Sequence, residues 1–237
     1  DPDSGSTYYL EYRKGVGSDA YLTDPASATL LQPGVLLRRD DSTSQIDNSL
    51  LIDATPSWSV DYLDDVESAF PVNGRVPVSG GAFVVQVSAA TSASATVTVW
   101  TAADPAPPTP IATKYAALGG SGGRLGVALA PEECGLAGDG CHQQFQGGDI
   151  AWSPATGAHP LYADQPKNAW HGEGAWGGPL GYPTADPTCN AVVPTSCTQV
   201  FQGGLIYAPY TTGNAIVLTG EIAARYVALG GVASHLG

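Results

Sequence analysis

The feature that most constrains this chain is a motif that occurs twice. Phe145-Gln146-Gly147-Gly148 returns 56 positions later as Phe201-Gln202-Gly203-Gly204. Each copy is preceded by a Leu-Gly pair, a close Cys pair and a Gln, and each is followed by a short apolar run with aromatic residues. Self-similarity at this period belongs to stacked or radially repeated architectures, in which no unit can bury its apolar face alone. Arrays of that kind usually bind something.

Around this repeat the chain divides. Residues 1–102 carry short strand candidates at 7–13, 34–39, 49–53, 74–78, 82–87 and 95–100, β-branched and separated by Gly, Pro, Asp and Ser, which is the pattern of a two-sheet sandwich. Residues 103–110 hold four prolines within six positions, enough to keep a linker extended and semi-rigid. Residues 111–237 read as a repeat domain of short helix, Gly turn and β-hairpin, with two repeats and the start of a third. Helical spacing over 111–118 and 221–229 runs in both cases into Leu-Gly-Gly, where Gly supplies the left-handed helix end. The middle unit keeps this form over 170–178 less strictly. The expected class is mainly β.

The net charge of −13, with only 9 Lys and Arg, disfavours nucleic acid and anionic membranes, since both are held by cationic side chains. No stretch approaches the ~20 apolar residues of a membrane span. The opening Asp1-Pro2-Asp3 reads as a piece of a longer or processed protein.

All four Cys lie in the repeats, as two local couples nine positions after Leu125 and Leu180. C-x6-C and C-x7-C lack the tight spacing of zinc knuckles, so Cys134 with Cys141 and Cys189 with Cys197 are read as disulfides over metal ligands or free thiols. Bridges of that kind imply an oxidising compartment and hence a secreted protein.

A constellation for catalysis is missing. There is no H-E-x-x-H, and His142, His159, His171 and His235 fall in different units and loops, so no metal site is read from them. His171-Gly172-Glu173 lacks the P-C-x-x-C half of a deaminase signature. Ser121 satisfies G-x-S-x-G literally but follows a helix-like segment where a nucleophile elbow follows a strand, so it reads as a turn. Asp61, Asp64, Asp65 and Glu67 could hold calcium through oxygen ligands, though such a cluster reads first as an acidic surface loop; Asp40-Asp41 is a second acidic pair. No other cofactor is expected.

Binding falls to the aromatic residues of the repeats, whose rings can meet the C–H face of a sugar while their polar edges hydrogen-bond. Trp170, Trp176 and Tyr210, placed in turns, are the foremost candidates. Tyr182, Trp152 and Tyr207 follow, the last two in strands where burial between repeats competes with ligand contact.

Leu180-Gly181-Tyr182-Pro183-Thr184, the two Phe-Gln-Gly-Gly motifs, Ile150-Ala151-Trp152-Ser153-Pro154-Ala155-Thr156-Gly157-Ala158 and Ile206-Tyr207 closely resemble the LGFP repeat of secreted actinobacterial and cell-envelope proteins. The resemblance covers about residues 111–237 and implies attachment to the cell wall, with wall polysaccharide as ligand. The chain departs from it at Val127-Ala128, which replaces aromatic-Pro, in its Cys couples and in the shortness of the array. Tyr8-Tyr9-Leu10-Glu11-Tyr12-Arg13, Gly34-Val35-Leu36-Leu37 and Ser49-Leu50-Leu51-Ile52-Asp53-Ala54-Thr55-Pro56 are similar to the β-sandwich that follows the catalytic domain in some secreted gametolysin-like zinc metalloproteases. Together these imply a non-catalytic region of a secreted, wall-associated protein that localises an attached enzyme, a protease. The other reading is a protein-binding exosite or regulatory region, with a protein substrate or the catalytic domain as partner.

Overall fold

The computed structural model describes residues 5–23, 32–40, 49–55, 68–163, 165–189, 196–209 and 214–230. It is mainly β, with four antiparallel sheets and three short helices among the described residues. The chain divides into two compact units, Asp1–Ala106 and Pro107–Gly237.

In the first unit β1 (Tyr8–Arg13), β2 (Gly34–Asp40) and β3 (Ser49–Ile52) form one sheet, and β4 (Arg75–Val78), β5 (Phe83–Ala90) and β6 (Ala95–Thr101) form another. Strand alternation decides what is buried. Val35 and Leu37 of β2 and Val85 and Val87 of β5 stand two positions apart, so each pair points to one face. They meet Phe70 and Val78 in a single core fed by both sheets. The strands expected from β-branched runs are all present.

The second unit is built from α1 (Pro110–Ala117), β7 (Glu133–Leu136), β8 (Gly140–Phe145), β9 (Gly148–Ser153), β10 (Gly157–Tyr162), α2 (Gln165–Gly172), β11 (Thr188–Cys189), β12 (Ser196–Phe201), β13 (Gly204–Pro209), β14 (Ile216–Thr219) and α3 (Gly220–Ala228). Each expected hairpin is the middle of a four-stranded antiparallel meander, β7 to β10 in one repeat and β11 to β14 in the next. The bridges Cys134–Cys141 and Cys189–Cys197 join residues directly opposite each other on the two outer pairs.

The repeated motifs are clasps. Leu180 and Phe201 are buried, and Gln202 ties their strands together: its backbone N–H donates to Tyr182 O at 3.0 Å, and its side-chain Oε1 accepts from Tyr182 N at 2.9 Å. Gly203 N donates to Leu180 O at 3.0 Å. The first copy repeats this with Gln146 N to Val127 O at 3.0 Å and Gly147 N to Leu125 O at 2.7 Å. Both glycines are required by contact, since a Cβ on Gly203 would lie 1.9 Å from Pro179 O and one on Gly204 2.2 Å from Leu218 O.

The helices complete the clasp. Thr109 caps α1, its Oγ1 accepting from Ala112 N at 3.0 Å, and Pro110 occupies the first turn, where the missing N–H costs nothing. Tyr115 of α1 stacks on Phe145 at 4.5 Å and donates its hydroxyl to Gly126 O at 2.6 Å. Trp170 of α2 does the same one repeat later, stacked on Phe201 at 6.4 Å and donating Nε1–H to Gly181 O at 2.8 Å. α1 and α2 thus each plug the sheet that follows.

Candidate functional site

Placed in this frame, the aromatic candidates separate. Trp170 is fully buried in the last turn of α2, a correction to its expected place in an exposed turn. The middle helix starts earlier than its glycines suggest, because Pro166 opens it as Pro110 opens α1. Tyr182 is also buried, its ring lying over Gly140. Trp152 and Tyr207 are half-buried on β9 and β13. Trp176 is half-buried in a 3-10 turn just after α2. Tyr210, the acidic group Asp61, Asp64, Asp65 and Glu67, Asp41 and His235 lie outside the described residues. Ser121 sits exposed in a 3-10 turn after α1.

Around Trp176 the fold assembles a polar group that no local spacing announces. His142 comes from β8, Asp149 from β9, and Lys167 and His171 from α2, four positions apart and so on one helix face. His142 Nε2 lies 3.1 Å and His171 Nε2 2.9 Å from the same carboxylate oxygen, Oδ2 of Asp149, while Lys167 Nζ lies 2.8 Å from its Oδ1. Trp176 stands over this group, its ring 5.1 Å from that of His142 and 6.5 Å from that of His171.

A fully buried carboxylate is costly unless paired and hydrogen-bonded. Asp149 has no exposed surface. Burial pushes its carboxyl up, but the hydrogen bonds from His142, His171 and Lys167 together outweigh that and hold it down at about 2. His142 is 3% exposed, whereas the His171 side chain keeps 35% of its surface, so the group opens to solvent on the His171 side.

Counting 56 positions on, the equivalents of His142, Asp149, Lys167 and His171 are Thr198, Leu205, Ala223 and Val227. There Leu205, Ala223 and Val227 line an apolar groove of about 560 Å³. The polar group is therefore no general requirement of the repeat.

A second tie joins the repeats. Asp186, beyond Pro183, accepts from Lys114 Nζ at 2.6 Å and contacts His159 Nδ1 at 2.7 Å. Burial raises its carboxyl, and the hydrogen bonds from Lys114 and His159 bring it below the ordinary value.

Two interlocked units of helix, Gly turn and antiparallel meander, each closed by a Leu-Gly and Phe-Gln-Gly-Gly clasp, define a β-rich repeat module. The LGFP repeat family model matches residues 125–178 and 180–234, and the C-terminal unit carries two LGFP repeats. Such repeats are typical of cell-surface proteins and are generally non-catalytic. No curated protein matches the chain.

Proposed function

We propose that the chain is the non-catalytic ancillary region of a secreted protein, whose LGFP repeats hold cell-wall polysaccharide and localise an attached enzyme, a protease by the likeness of the first unit. Tethering of that kind raises the enzyme's effective concentration at its substrate without altering its chemistry. The observation that carries the reading is Trp176, a partly exposed ring beside the solvent-facing His171. A flat apolar face with hydrogen-bonding groups at its edge suits a sugar ring. The charge of −13 favours a neutral glycan over an anionic one.

The test is retention of the whole chain on purified wall polysaccharide, with and without molar salt. Ring stacking and hydrogen bonds persist where the screening length falls to ~3 Å. Trp176→Ala should lower retention in a folded protein. If the parent is never retained, or the variant is retained equally, the reading fails. A protein partner has its own support in Ile216, Ile222 and Val227, each at least half exposed at one end of the repeats.

A further inference from the structure

We propose that His142, Asp149 and His171 form a binding site for one divalent transition-metal ion of the zinc class. Three potential ligand atoms, two imidazole Nε2 and one carboxylate Oδ2, lie within 4.8 Å of one another. Bond lengths of ~2.0–2.1 Å to Zn²⁺ put tetrahedral ligands about 3.3 Å apart. The observed 3.1 and 2.9 Å edges need to open by only a few tenths of an ångström. Nitrogen-rich ligation excludes calcium and magnesium, which take oxygen, and suits zinc, cobalt, nickel and copper.

The surroundings fit the same role. Lys167 holds the second oxygen of Asp149, so the carboxylate presents Oδ2 alone, as a ligand fixed from outside its coordination shell does. The solvent-facing edge of His171 leaves a path for the ion and room for water as the fourth ligand. His171 Nε2 hydrogen-bonds to Asp149 Oδ2, whereas His142 Nε2 lies 3.1 Å from the same oxygen, buried and without a hydrogen-bond partner among the described residues; an ion would take the Nε2 lone pair of each ring, with the ring proton on Nδ1. The other group of potential metal ligands among the described residues, Glu132 with Cys134 and Cys141, is closed to metal by the disulfide.

Position adds a consequence. β8 and β9 belong to one meander, whereas α2 carries the Trp170 plug of the next. The ion would staple the junction at positions where the second repeat carries Thr198, Leu205 and Val227 instead of ligands.

The test uses the purified full chain, stripped with chelator, dialysed, and titrated with Co²⁺ and Zn²⁺ in the absence of any glycan. One equivalent of Co²⁺ should bind and give the visible absorption of a low-symmetry site, and Zn²⁺ should displace it. His171→Ala should weaken binding at least about tenfold while circular dichroism stays unchanged; His171→Gln serves if the first variant misfolds. His159→Gln, away from the site, should bind as the parent does. The proposal is overturned if the parent shows no saturable binding, if both His171 variants bind as tightly as the parent, or if His159→Gln abolishes binding. Because no polysaccharide enters the assay, its failure is separate from failure of the wall-binding reading.

Discussion

Replacing Trp170 by Ala should come close to unfolding the repeat unit. The side chain has no exposed surface, stacks on Phe201 and satisfies the Gly181 carbonyl with a 2.8 Å hydrogen bond. Truncating a fully buried Trp costs roughly 3–5 kcal/mol. Leaving a buried carbonyl without its donor adds about 1 kcal/mol or more. A loss of about 4–6 kcal/mol is comparable with the whole stability of a modest domain, roughly 5–15 kcal/mol. Trp170→Phe keeps the ring on Phe201 and loses only the Nε1 donor and part of the bulk, so it should cost about 1–2 kcal/mol. Urea unfolding of the full chain, followed by hydrogen exchange resolved to the repeat peptides, separates this unit from the first. With a urea slope of about 2 kcal/mol per molar, the Ala variant's midpoint should fall by about 2 M or more. If Trp170→Ala unfolds within about 1 kcal/mol of the parent, the plug is not what holds Leu180 and Phe201 together.

Gly203→Ala should destabilise by about 3 kcal/mol, since its Cβ would sit 1.9 Å from Pro179 O, whereas Gly122→Ala, with nothing within 4 Å, should be neutral or slightly stabilising in the same urea assay. Tyr182→Phe should be neutral or stabilise by up to about 1 kcal/mol, because the buried hydroxyl has no hydrogen-bond partner among the described residues and burial, with Asp139 nearby, pushes its ionisation up to about 12; a loss of stability on thermal melting would mean the hydroxyl is paired. Asp149, held at about 2 in the folded chain against ~3.9 unfolded, contributes stability that is present above pH ~4 and lost as pH falls toward 2. The gap of about 2 kcal/mol between parent and Asp149→Asn should therefore close over that interval, and a gap that stays constant from pH 5 to pH 2 would refute the pairing.

Much of this architecture was legible before any coordinates, for physical reasons that differ between the units. Strand alternation is local, so β-branched runs such as Phe83-Val84-Val85-Gln86-Val87 mark β5 by themselves. The clasps were legible as repetition, though not as geometry: nothing local says that Gln202 caps the Leu-Gly turn twenty positions back. Trp170 was misread because its neighbouring glycines suggested an open turn. The correcting signal was available, since Tyr115 and Trp170 each stand eleven positions before the Gly of a Leu-Gly pair. The His142, Asp149, Lys167 and His171 group was illegible for another reason. Its members come from two strands and a helix, and each looks ordinary alone. Only the mismatch with Thr198, Leu205, Ala223 and Val227 sets them apart in sequence.

The plug has a consequence for how such modules can be cut and moved. Because Trp170 serves Leu180 and Phe201, the sequence period that begins at a Leu-Gly pair severs a helix from the sheet it completes. The transferable cassette runs instead from helix to last strand, residues 165–219, with its own plug and its own socket. Grafts or deletions phased to that frame exchange whole cassettes, while those phased to the motif leave one socket empty and one plug without a seat.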